Sequence, residues 1–65
     1  MKTFDVHFND EISSNSKGFK ETIDYCKSYI ETWINSDHSY FADYNGGTVS
    51  VVCNETGETV YEKMI

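Results

Sequence analysis

The sequence predicts an α+β fold, in which one helix packs on one face of a four-stranded, mostly antiparallel sheet. Three observations predict it. Residues 2–8 alternate apolar and polar side chains, residues from Phe19 onward repeat with a helical period, and Asn45-Gly46-Gly47 separates two strand-like runs. The expected order is strand, helix, strand, strand, strand, in one domain over residues 1–65.

In the first strand Phe4, Val6 and Phe8 fall on one face and Thr3, Asp5 and His7 on the other. That is the pattern of a half-buried strand. Ser13-Ser14-Asn15-Ser16 follows and reads as a flexible loop, because small polar residues offer no face to bury. The next apolar set, Phe19, Ile23, Cys26, Ile30, Trp33 and Ile34, lies along one side of a helix. Starting it near Ser16 places Gly18, Lys17 and Lys20 in the first turn, where glycine weakens the helix and positive charge opposes its dipole. Starting after Thr22 supplies a hydroxyl cap and puts Asp24 in the favourable first turn. The helix is therefore expected over residues 23–35, with Phe19 packing in from the loop.

Residues 39–44 and 48–53 read as strands joined by a tight turn, since Asn-Gly is the pair that a type I′ turn requires. A last strand, residues 59–63, follows Asn54-Glu55-Thr56-Gly57, where Gly57 suits the left-handed position of a bulged turn. A two-residue loop, Asn45-Gly46 or Gly46-Gly47, puts Tyr40, Ala42, Tyr44, Val49, Val51 and Cys53 on the face that meets the helix, and pairing Asn54 with Glu58 adds Tyr61. The expected core is Phe4, Val6, Phe8, Ile23, Cys26, Ile30, Trp33, Ala42, Val49, Val51 and Cys53. The opposite face then carries Phe41, Val52 and Val60 in a row across three strands, among Ser39, Asp43, Ser50 and Glu62. An apolar row on an uncovered sheet face is a candidate contact surface, and Asp43 and Glu62 supply its charged rim.

Size and charge narrow the function. A chain of 65 residues hides only about 60% of the surface that it exposes when unfolded, which leaves little interior for a water-free active site. Eleven acidic residues against five lysines, and no arginine, give a formal charge of -6. Phosphate recognition needs clustered Lys and Arg, so direct nucleic-acid binding and anionic membrane surfaces are not expected. The acidity fits solubility or a match to a basic protein surface, including imitation of nucleic-acid charge. No membrane span and no signal peptide is evident, which implies a cytoplasmic protein. In a reducing compartment Cys26 and Cys53 are expected as buried free thiols, and Asn54-Glu55-Thr56 matches a glycosylation acceptor only by chance.

No catalytic, metal or cofactor motif is found. His7 and His38 lie near Asp5, Asp10 and Asp37 but lack the spacing of converging metal ligands, and both read as surface residues. The glycines Gly18, Gly46, Gly47 and Gly57 all have turn explanations, and no phosphate-binding loop occurs. The absence of Leu, Pro, Gln and Arg beside abundant Lys, Asn, Ile, Tyr and Phe follows AT-rich codons, as in low-GC bacteria and their phages. The expected function is that of a small acidic, non-enzymatic interaction protein that binds another protein, such as a phage or mobile-element inhibitor. The alternative is a homodimeric structural protein whose apolar row is buried against a second copy.

Overall fold

A computed structural model describes residues 2–36 and 40–65 of the chain. The first strand, β1 (Phe4–Asn9), buries Phe4, Val6 and Phe8 as its alternation requires. It lies antiparallel to β3 (Thr48–Cys53), with Phe4 opposite Cys53, Val6 opposite Val51 and Phe8 opposite Val49. Three directly opposed apolar pairs thus share one face, which is how cross-strand contacts stabilise a sheet. On that face lies the helix α1 (Ile23–Trp33), which buries Cys26 and Ile30 against it.

Thr22 caps α1 as its sequence predicts: the hydroxyl accepts the Tyr25 N–H at 3.1 Å, and Asp24 occupies the first turn. The helix stops at Trp33, two residues earlier than expected, with the Ile34 N–H donating to the Ile30 carbonyl. Trp33 therefore sits at the last helical position and is exposed, while Ile23 is half-buried, so neither is a central core residue. Phe19 packs in from the preceding loop, edge-on to Tyr25 and Tyr29 with centroids 5.6 and 5.2 Å away.

The fourth strand is not where the sequence places it. Ser14–Ser16 forms a short strand, β2, paired antiparallel to β1 with His7 opposite Ser16 and Asn9 opposite Ser14. All three residues are exposed, and an edge strand with both faces in water needs no apolar pattern. Asp10 makes the turn into it by accepting the Ile12 and Ser13 N–H groups, each at 2.8 Å.

Residues 40–43, expected as part of a strand, form instead a single helical turn, α2 (Tyr40–Asp43); Ser39, also in that expected strand, lies outside the described residues. A strand would send Phe41 to the opposite side from Tyr40 and Tyr44. The helical turn brings all three around Phe8, at centroid distances of 5.5 Å for Tyr40, 4.9 Å for Phe41 and 5.9 Å for Tyr44. Burial of these rings outweighs their strand propensity. Phe41 and Tyr44 enter the core, and Ala42, expected there, is exposed.

Asn45-Gly46-Gly47 is a turn, but it joins α2 to β3 and not two strands. The Gly47 N–H donates to the Tyr44 carbonyl at 2.8 Å, and Gly46 has φ +94°. The hairpin from β3 into β4 (Thr59–Met64) follows the prediction more closely: Gly57 takes φ +77°, and Val51 faces Tyr61. Its closing contact runs from the Cys53 N–H to the Glu58 carbonyl at 2.9 Å, one residue away from the expected Asn54–Glu58 pair. A bulge between Val51 and Val52 leaves Val60 as the extra residue, with Val52 facing Thr59. The sheet order is β2-β1-β3-β4, antiparallel throughout. The α+β class and the helix on one face of four strands stand; the element order is β-β-α-α-β-β.

Candidate interaction surface

The expected row of Phe41, Val52 and Val60 does not form. Phe41 is 1% exposed, on α2, in the aromatic cluster around Phe8. Asp43 is exposed on the same helical turn, away from the outer sheet face. Val52 does point to that face, half-buried, between its partners Asp5 on β1 and Thr59 on β4. Val60 is 40% exposed at the bulge, and Glu62 is exposed on β4 opposite Ser50. The row rested on residues 39–44 being a strand, and their helical turn removes its first member.

The uncovered face is polar where an apolar strip was expected. Asp5, His7, Ser50 and Glu62 cross it on three strands: His7 faces Ser50, and Ser50 faces Glu62. The Ser50 hydroxyl donates to Glu62 Oε2 at 3.3 Å, and His7 Nε2 lies 3.4 Å from Asp5 Oδ2. Asp5 is almost fully buried, and its Oδ1 accepts the Val6 and Phe19 N–H groups at 2.7 and 2.8 Å. His38 and Asp37 lie outside the described residues. Among the described residues no three His, Cys, Asp or Glu side chains are grouped to hold a metal ion.

Two features escaped the sequence reading. One is the free edge of β4, the last strand of the sheet, where every residue but Tyr61 is exposed. Tyr61 anchors this edge strand to α1: its hydroxyl donates to Glu31 Oε2 at 3.2 Å, and Lys27 Nζ stands 5.0 Å from its ring centre. Beyond it Ile65 bonds to the turn, its N–H donating to the Gly47 carbonyl at 2.9 Å and its carbonyl accepting the Gly46 N–H at 3.1 Å. Because antiparallel strands alternate the sides to which their backbone groups point, Glu62 and Met64 turn their N–H and C=O groups toward the open edge. Met64 is also 78% exposed.

The other feature is the turn between β1 and β2, where Ile12 is 94% exposed. It borders a shallow cleft of about 480 Å³ between residues 9–12 and residues 45–48. The two walls approach closely, so a methyl group on Gly47 would overlap the Asn9 carbonyl oxygen.

At the far end of the sheet, Glu55 takes the Thr3 N–H at 2.8 Å, and Asn54 Nδ2 donates to the Phe19 carbonyl at 2.9 Å. The Thr3 N–H holds the Glu55 carboxyl below its ordinary range. Both cysteines are buried with free thiols, as expected. Burial pushes the Cys26 thiol up to about 11, with the negative charge of Asp5 and Glu21 adding to it, and a hydrogen bond from the Thr56 side chain lowers that of Cys53.

Among the described residues no helix is long and apolar enough to cross a membrane. No family model, no curated protein and no solved structure matches the chain.

Proposed function

We propose that this chain is a non-enzymatic interaction module, working in the cytoplasm by binding another protein, as an inhibitor encoded by a phage or mobile element does. The observation that supports it best is the open edge of β4: an ordered, exposed strand with backbone donors and acceptors free to pair. Its anchoring through Tyr61 matters, because a strand already held in place loses little freedom on binding. The net charge of -6 favours a basic partner and repels nucleic acid.

A photo-crosslinking side chain at Glu62, with the same group at Asp24 on α1 as a control, tests the reading in the native host. One defined heterologous adduct from position 62, absent from position 24, is expected, together with a monomer in sedimentation equilibrium at micromolar concentration. A stable dimer that crosslinks to itself through position 62 replaces this reading with the homodimer.

A further inference from the structure

We infer that the β4 edge is patterned to accept an extended basic segment of its partner and to disfavour a second copy of itself in the registers centred on Tyr61, Glu62 and Lys63. This inference rests on the protein-binding reading above and gives that partner a chemistry.

The bulge at Val60 breaks the ladder, so the regular edge is short and runs from Tyr61 toward Ile65. Its outward backbone groups belong to Glu62 and Met64, by the alternation set at Ile65. Two copies meeting antiparallel about a twofold axis place outer-face residues opposite outer-face residues. In the register centred on Glu62, that residue faces its own copy. Moved by one residue, the axis falls on Lys63, which then faces Lys63. Like charges directly opposite each other destabilise a strand pair. Centring the axis on Tyr61 instead brings the Val60 bulge against Glu62 and interrupts the ladder.

A strand from another protein escapes this conflict. With lysine or arginine opposite Glu62, the outer face gains a cross-strand ion pair, and the long stem of a second basic side chain lies along Met64. Apolar residues at the alternating positions fall on the helix side, where they extend the row of Val51 and Tyr61. The charge of the whole chain acts in the same direction, drawing a basic segment toward the edge before contact.

Two synthetic octapeptides, one alternating valine with lysine and one alternating valine with glutamate, test this on the full chain. The lysine peptide is expected to bind about tenfold more tightly than the glutamate peptide, less so as salt rises, and to protect the Glu62 and Met64 amides from hydrogen exchange. Glu62→Lys should reverse the preference. Met64→Pro removes an outward N–H without touching the β3 ladder and should abolish binding by a folded protein. Equal binding of the two peptides, or protection that maps to α1 or to residues 10–13, overturns the inference. If Glu62→Lys leaves the crosslinked host partner's affinity unchanged, the edge inference falls and the protein-binding reading survives; if neither peptide nor host protein binds, both fall.

Discussion

Asp5 Oδ1 accepts the Phe19 backbone N–H at 2.8 Å and so bridges a gap in the sheet that no strand fills. Beyond β2 the chain still follows β1, with the Lys17 N–H on the Val6 carbonyl and the Glu21 N–H on the Phe4 carbonyl. Between those points residues 18–20 swing away, helped by Gly18 at φ +78°, and carry Phe19 toward α1. The same Asp5 oxygen takes the Val6 N–H, so one carboxylate serves two donors. Asp5→Ala is expected to cost about 1–3 kcal/mol, the penalty for buried groups left without partners. Asp5→Asn, which keeps an acceptor oxygen, should cost less; urea unfolding of the two variants measures the difference.

Phe41 tests which face of the sheet is the core. Phe41→Ala is expected to lose about 3–5 kcal/mol and Ile30→Ala about 2–5 kcal/mol. Losses on that scale consume most of the stability of a small domain. Both variants should show lowered urea midpoints, with the near-ultraviolet aromatic signal falling most for Phe41→Ala. A Phe41→Ala chain as stable as the parent would return this residue to the surface.

Gly46 and Gly47 stand side by side and should respond to alanine for different reasons. At Gly46 the added methyl meets open space, and the cost is that of a left-handed backbone, about 1–2 kcal/mol. At Gly47 it meets the Asn9 carbonyl, so β1 and the turn must separate, at about 1–3 kcal/mol. Amide shift changes confined to the turn for Gly46→Ala, and spreading to Asn9 and Asp10 for Gly47→Ala, would separate the two causes.

Acid should weaken the fold through Asp10 and Glu55. Backbone N–H groups of Ser13 and Ile12 lower the Asp10 carboxyl, and that of Thr3 lowers Glu55. A carboxyl lowered in the folded state contributes stability that is present above its unfolded value, near 4, and is lost as pH falls through the folded one. Stability measured from pH 5 downward should therefore decline, and Asp10→Asn should flatten part of that decline.

In alkali the sign is set by Cys26. Its thiol, raised to about 11, stays neutral in the fold while the unfolded chain ionises near 8.5. Its contribution is complete below the unfolded value and is lost as pH rises toward the folded one. Cys26→Val should remove this slope.

The legible parts of this fold are those whose own side chains declare a face. Phe4, Val6 and Phe8 alternate, Thr22 caps a helical period, and Gly57 marks a left-handed turn, so β1, α1, β3 and β4 were readable to within a few residues. Ser14–Ser16 buries nothing and is a strand only because β1 offers it an edge. Tyr40, Phe41 and Tyr44 fit either period, and the deciding contact is Phe8, distant in sequence. The candidate site was hidden for a related reason: an open edge is a property of strand order, which no local pattern encodes, and the place of β1 between β2 and β3 fixes it.

That strand order also governs how fast the chain reaches its fold. Each outer strand pairs with a neighbour close to it in sequence, β2 with β1 and β4 with β3, so both hairpins close over short loops. The central seam joins β1 to β3 across the whole intervening chain, with Phe4 opposite Cys53. Closing it forfeits the largest share of chain entropy before any of its contacts form. Closing that seam, and not forming either hairpin, is therefore the step expected to limit the folding rate, and α1 rests on both of its strands.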